Sequence, residues 1–280
     1  MTNSLINLGD LAKPVNTLVE KISDAIGGAV KPWQIKRIAK AEAEAETTKA
    51  LAQFQFPELQ RRAMHRLLHE ETQRQLNIEN VTAKALPLVK EQATPEDIEQ
   101  DWLVNFFDKS KLVSDEQMQD VWGRILAGEA NSPGTFSRFT INTLGNLEKH
   151  DAELFSKICS MCWMIMEPTP LIYNLNDGIF KQSGITLLAL ADLERLGLVH
   201  LGKMSGYEFD NAHETETLIY QDQKFEVTFP NGSTALNVGR VLLSRVGSDL
   251  FKVCTTAPNH DHLNYVLKKW EEMKYVVQQI

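Results

Sequence analysis

The sequence predicts a mainly α protein with a C-terminal α+β module. Two long helical patterns come first, capped helices with large apolar stripes follow, and short β-rich segments separated by turns begin after residue 171. We therefore expect extended amphipathic helices in residues 1–90, which serve oligomerisation or contact with a partner or membrane. A compact helical domain is expected in residues 91–170 and an α+β domain in residues 171–280.

The composition is that of a globular protein. The 280 residues are 43% hydrophobic and 24% charged, and no stretch approaches the ~20 consecutive apolar residues that span a bilayer. We expect a cytoplasmic protein, with a peripheral position at the inner membrane surface as an alternative. Three cysteines fit a reducing compartment. The net charge of -8 limits nucleic-acid binding to a local basic patch.

The first predicted helix runs from Asp10 to Ile26 and ends before the Gly27-Gly28 pair. Its polar face carries charges of both signs, whereas membrane-surface helices are usually rich in Lys and Arg. Packing against protein is therefore favoured over membrane contact. The candidate interaction residues on its apolar face are Leu11, Val15, Leu18 and Ile22.

Two long, thinly apolar helices are predicted next, from Trp33 to Phe56 and from Glu58 to Leu86, with Pro57 between them. Neither can bury enough surface alone, so an antiparallel hairpin or an oligomer seam is expected. The second helix carries candidate interaction residues that could bind phosphates, although glutamates lie among them at the helical spacing that forms ion pairs. These residues are Arg61, Arg62 and Arg66.

The central region contains the best-defined helix starts. Thr94-Pro95-Glu96-Asp97 predicts a helix that buries Ile98, Trp102 and Phe106. Ser114-Asp115-Glu116-Gln117 predicts a second, and Asp151 is expected to cap a third that continues to Ile165. The stripe of the second helix consists of Met118, Val121, Trp122, Ile125 and Leu126.

Helices and strands alternate in the C-terminal region. A helix is predicted from Thr186 to Leu196, and a last helix from His262 to Val277. Pro230-Asn231-Gly232 indicates a turn between the last two strands. The predicted strands are Val199 to Leu201, Thr217 to Tyr220, Phe225 to Phe229 and Leu236 to Leu243.

One cysteine pair has the spacing of half a zinc site. Cys159 and Cys162 could be completed by Cys254 with His260 or His262, but the apolar neighbours of the pair favour buried thiols. Asp261 is expected to be a helix N-cap. No phosphate loop, nucleophile elbow or zinc-protease helix is present in the sequence. The sequence therefore predicts no cofactor, no metal and no enzyme.

Several motifs resemble an uncharacterised bacterial family that is in turn similar to the abortive-infection alpha proteins. They cover most of the chain, and the resemblance implies a role in defence against phage. The motifs are Leu8–Pro14, Asp24–Gly28, Trp102–Lys109, Ser114–Glu129 and Pro133–Ser137.

The C-terminal part resembles a winged helix in Leu190–Val199 and Leu243–Leu250. The helix that would enter the major groove carries Asp192, Glu194 and only one cation, Arg195, which favours a protein partner over DNA.

The leading hypothesis is a non-enzymatic helical interaction protein that self-associates and binds an unidentified protein, with a phage-derived protein as a candidate. It would form a homo-oligomer through the Trp33 to Leu86 region and use its C-terminal module to dock the partner. One alternative is a winged-helix DNA-binding transcriptional regulator. A second is a membrane-surface effector that acts through the first amphipathic helix.

Overall fold

The structure is a computed structural model that describes residues 13–30, 57–202, 206–210, 214–230 and 235–280. The predicted helix from Trp33 to Phe56 and the candidate residue Leu11 lie outside these ranges. The chain divides into two compact units, Met1–Gly145 and Asn146–Ile280. The predicted fold class is confirmed, since the first unit is helical and the second mixes helices with small antiparallel sheets.

The boundary between the units differs from the predicted division at residues 90 and 170. The long helix that begins at Glu58 packs along the helix that begins at Glu116, so both belong to the first unit. The helices of the first unit are α1 (Lys13–Ile26), α2 (Glu58–Ala85), α3 (Gln100–Ser110), α4 (Glu116–Asn131) and α5 (Arg138–Gly145).

Two helix starts in the first unit differ from the prediction. Thr94 precedes a short 3-10 turn, Pro95–Asp97, and α3 begins only at Gln100. The N-cap of α4 is Asp115, whose carboxylate accepts from the Met118 amide at 3.0 Å. Both shifts move the start along the chain without changing which face is buried, because the apolar period decides that face.

An aromatic cluster forms the centre of the first unit. The Phe106 ring lies 5.0 Å from the Trp122 ring and 5.1 Å from the Trp102 ring, and all three side chains are buried. The predicted stripes of α3 and α4 therefore face each other, as their periodicity requires. Lys21 of α1 donates to the carbonyl of Ile98 at 2.6 Å, which ties α1 to the start of α3.

The second unit contains short helices and strands in alternation. Its helices are α6 (Lys149–Cys159), α7 (Gly178–Gln182), α8 (Leu187–Arg195), α9 (Arg245–Phe251) and α10 (His260–Glu272). Its strands are β1 (Cys162–Met164), β2 (Pro168–Pro170), β3 (Val199–Leu201), β4 (Tyr207–Asp210), β5 (Thr215–Tyr220), β6 (Gln223–Thr228), β7 (Ala235–Gly239), β8 (Val241–Leu243) and β9 (Val276–Gln279).

The strands form one five-stranded antiparallel sheet and two smaller pairings. The large sheet has the order β2-β1-β5-β6-β9, while β3 pairs with β8 and β4 pairs with β7. Trp163 and Trp270 pack at 4.8 Å in the core beneath the large sheet. The Pro230-Asn231-Gly232 turn lies partly outside the described residues, and the strands on either side of it pair with other strands.

Three predicted segments of the second unit are wrong in extent. The helix expected to reach Ile165 ends at Cys159, and its N-cap is Glu148, with Asp151 completing a capping box. The last helix ends at Glu272, because Lys274 has a left-handed φ of 63° and the chain then forms β9. The strand expected from Leu236 to Leu243 is split at Gly239.

Gly239 separates β7 from β8 because two constraints exclude a side chain there. Its φ is +85°, and a Cβ would lie 2.3 Å from the carbonyl oxygen of Ile172. Only glycine satisfies both the conformation and the close approach. The strand therefore turns at this point, and its two parts pair with β4 and β3 respectively.

We expect Trp122→Ala to destabilise the first unit by ~3–5 kcal/mol, the usual cost of removing a buried tryptophan side chain. Trp122 is fully buried against Phe106. The measurement is urea unfolding followed by circular dichroism. Phe139→Ala is the matched control because Phe139 is 67% exposed, and its cost should stay within about 0.5 kcal/mol. Equal costs for the two variants would contradict this packing.

Candidate interaction surfaces

A buried glutamate organises the loop between α4 and α5. The two carboxylate oxygens of Glu129 accept from the backbone amides of Gly134 at 2.6 Å and Phe136 at 2.9 Å. Glu129 is only 2% exposed, and burial raises the pKa of its carboxyl group. On the other side of the loop, the Trp102 indole donates to the Phe136 carbonyl at 2.6 Å. The loop is therefore held from two directions.

The cavity beside this loop has a volume of about 510 Å³ and includes Asp97, Glu99 and Arg138 in its lining. A buried carboxylate with a raised pKa in a cleft is often catalytic. Each oxygen of Glu129 accepts from one loop amide, and the side chain also lines this cavity. The arrangement is suited to fixing the loop, and we interpret Glu129 as its anchor.

The cysteines lie in the second unit. Cys159 and Cys162 are buried, as predicted for core thiols, and Cys254 is half-buried. Burial raises the pKa of both buried thiols well above the usual value, which keeps them protonated and poorly nucleophilic. In the described ranges, no three His, Cys, Asp or Glu side chains are grouped so that they could hold a metal ion.

The histidines near the start of α10 have structural positions. The N-cap is Asn259, which accepts from the His262 amide at 3.0 Å, and not Asp261 as predicted. His260 is the first residue of the helix. His262 is fully buried with its Nε2 3.0 Å from the Leu171 carbonyl oxygen, and burial lowers its pKa to about 4. It is therefore neutral near pH 7.

The apolar face of α1 is packed into the first unit. Val15 is 7% exposed, while Leu18 and Ile22 are fully buried. This corrects the prediction that these residues form an external interaction surface, because α1 already packs on α3 and on the Pro95–Asp97 turn. Among the described residues, no helix is both long and apolar enough to cross a bilayer.

The arginines of α2 are exposed and paired within their own helix. Arg61 and Arg62 both form ion pairs with Glu58, and Arg66 lies 3.6 Å from Glu70. Such i,i+3 and i,i+4 pairs were expected from the spacing. They reduce the positive charge available to phosphates. The same exposed turns carry Leu59, which is 71% exposed, and Leu67, which is 50% exposed.

The exposed side of α8 combines apolar and acidic groups. Thr186 caps the helix by accepting from the Ala189 amide, and Leu190 and Leu193 face the core. On the outside, Leu187 is 61% exposed and Leu188 is 80% exposed.

The remaining outer side chains of α8 are mostly acidic or already paired. Arg195 is within 3.5 Å of Asp192, and Glu194 accepts from the Leu201 amide at 2.7 Å. The helix therefore presents little free positive charge, and two large aliphatic side chains stand at its beginning.

The family model described as "Protein of unknown function (DUF2806)" matches residues 61–267, which is more than half of the chain. The chain belongs to this family. No curated protein and no solved structure is significantly similar to it. The match begins within α2 and ends within α10. It therefore includes the Glu129 loop and α8 of this DUF2806 protein.

Sequence reasoning missed three features of the DUF2806 chain. Glu129 was only the end of a motif, and nothing in its spacing marked it as the anchor of the following loop. Leu187 and Leu188 were counted as part of an ordinary helix, although Leu188 lies on the opposite side of that helix from Leu190 and Leu193. The β9 strand was assigned to a helix, because Val276 and Val277 continue an apolar pattern.

We expect Glu129→Gln to destabilise the first unit by ~1–3 kcal/mol, because the new amide N–H group would face a backbone N–H of the loop. The measurement is urea unfolding at pH 7. Glu99→Gln is the control, since it removes a neighbouring exposed carboxylate without touching the loop amides. If both variants matched the parent protein, Glu129 would not anchor the loop.

Proposed function

We propose that this protein is a non-enzymatic interaction protein that docks a partner protein through the outer face of α8 and acts as a homo-oligomer. The observation that carries the proposal is the exposure of Leu187 and Leu188 beside the acidic Asp192. Exposed aliphatic side chains on a helix are typical of protein-docking surfaces. A partner helix or groove with aliphatic side chains and a basic rim would fit this face.

We further propose that α8 belongs to a winged-helix-like module. The order of elements supports this proposal: α7 and α8 are followed by β3, which pairs antiparallel with β8, and β2 lies close to β8. The excursion between β3 and β8 contains the β4–β7 pairing and the β5–β6 hairpin, in the position of a wing. In this interpretation α8 is the helix that would contact a ligand.

The DNA-binding alternative has less support. Base and phosphate contacts are made mainly by Arg, Lys, Asn and Gln side chains, whereas the outer face of α8 offers two leucines, acidic groups and one arginine already near Asp192. The net charge of -8 gives no general attraction to phosphates. The membrane alternative also has less support, because Val15, Leu18 and Ile22 on the apolar face of α1 are buried.

Three parts of the proposal rest on different grounds. The role in defence against phage rests on the resemblance of the motifs to the abortive-infection alpha proteins. Leu59 and Leu67, which lie among paired charges on the exposed turns of α2, offer one candidate surface for self-association. A non-enzymatic role fits the structural use of Glu129, whose two oxygens each accept from a backbone amide of the loop.

We expect Leu187→Asp/Leu188→Asp to abolish capture of a specific partner from native cells, with or without phage infection. Aspartates in the first turn interact favourably with the helix dipole, so the fold should be kept. The measurement is quantitative mass spectrometry of proteins that co-purify with the full chain, together with a thermal melt of each variant.

Met166→Asp is the matched control because Met166 is 74% exposed elsewhere in the same unit. It should retain the partner that the double variant loses. A partner retained by both variants would place docking on another surface. Binding of duplex DNA that weakens steeply with salt, and that the double variant leaves unchanged, would favour the DNA-binding alternative.

A further inference from the structure

The outer strand of the large sheet has one unpaired edge in the described part of the chain. Strand β9 pairs with β6 in the register Val277 opposite Val227. It ends the order β2-β1-β5-β6-β9, so its other edge carries no described strand. Such edges present backbone N–H and C=O groups in the geometry that accepts a further strand.

The register shows which backbone groups point outward. The Ile280 amide donates to the Lys224 carbonyl at 3.0 Å. Because inward and outward groups alternate along an antiparallel strand, Gln278 and Val276 also bond toward β6. The N–H and C=O groups of Val277 and Gln279 therefore point away from the sheet and are available to another strand.

This edge lacks the usual protection. Natural edge strands are commonly guarded by lysine, proline or a bulge. The segment from Tyr275 to Ile280 contains no charged residue and no proline, and its pairing with β6 is regular. Val276 is 68% exposed and Ile280 is 62% exposed. These two side chains share one face of the strand because they are four residues apart.

We propose that β9 pairs antiparallel with β9 of a second copy of this chain, with Val277 opposite the partner's Gln279. This inference rests on the self-association proposed above and assigns it to a definite surface. The two-fold axis would pass beside Gln278. The five-stranded sheet would then continue across the interface into that of the second copy.

The self-complementarity of the strand supports a second copy as the occupant. Only Val277 and Gln279 have outward-pointing backbone groups that can form hydrogen-bonded pairs across the interface. This register pairs Val277 of each copy with Gln279 of the other. It also places Val276 opposite the partner's Ile280, so the exposed aliphatic side chains cover each other. The strand contains no charged side chain, so no like charges meet across the interface.

The test uses charge exchange on the full chain. Val276→Lys/Ile280→Lys would place like charges opposite each other at both ends of the interface, and Val276→Lys/Ile280→Glu would place opposite charges there. By sedimentation equilibrium, the first variant should raise the dimer Kd by about tenfold or more, and the second should return it to within about threefold of the parent value. Both side chains are exposed, so thermal melts recorded at concentrations below the dimer Kd should match.

Leu59→Lys/Leu67→Lys tests α2 as the competing dimer surface, because these leucines are also exposed. It should leave the dimer Kd unchanged. A dimer that the α2 variant dissociates and the β9 variants do not would overturn the β9 interface while keeping self-association. A parent chain that stays monomeric at all concentrations would overturn both. Equal weakening by the two β9 variants would overturn the proposed register.

Discussion

The close approach of α2 to α4 is the contact on which the first unit depends. At Gly123 of α4, a Cβ would lie 2.8 Å from the Cβ of Lys84 and 3.2 Å from its carbonyl carbon. The two helices therefore touch at their backbones, and Lys84 forms an ion pair with Asp120 beside the contact. Since Val81 and Ala85 are buried there, α2 contributes to the core with its last turns.

The same contact explains why the first turns of α2 have a different environment. Its C-terminal end is fixed on α4, and at about 1.5 Å per residue the first turn of this 28-residue helix lies far along the axis from the contact at Gly123. Residues Glu58 to Arg62 are all exposed. One helix thus combines a core segment with a surface segment, which the predicted division into an N-terminal and a central domain did not anticipate.

Local signals in the sequence predicted much of the fold. The stripe of Trp122 and Ile125 identified α4, and Thr186 correctly marked the start of α8. The strand Val199–Leu201 has the predicted bounds. Errors arose where an apolar run fits either period, as from Ile158 to Ile165, which the structure divides between a helix and a strand. There the choice depends on partners distant in sequence.

The candidate surfaces were harder to predict than the fold. Burial decided the outcome for Leu18 and Ile22, because an amphipathic helix looks the same whether its apolar face meets a core or a partner. Conversely, Leu188 could be recognised as exposed only after Leu190 and Leu193 were seen to face the core. The interior is set by patterns along one element, whereas a surface depends on which elements cover one another.

The order of strands in the large sheet affects how the second unit can form during synthesis. Strands β1 and β5 are neighbours although fifty residues, 165–214, lie between them, and β9 joins β6 only after α10 has been made. Such non-local pairings slow folding. Until β9 leaves the ribosome, β6 is the outer strand and its Phe225 and Val227 lack a cross-strand neighbour on that side. A nascent chain therefore exposes an aggregation-prone apolar edge until β9 has paired with β6.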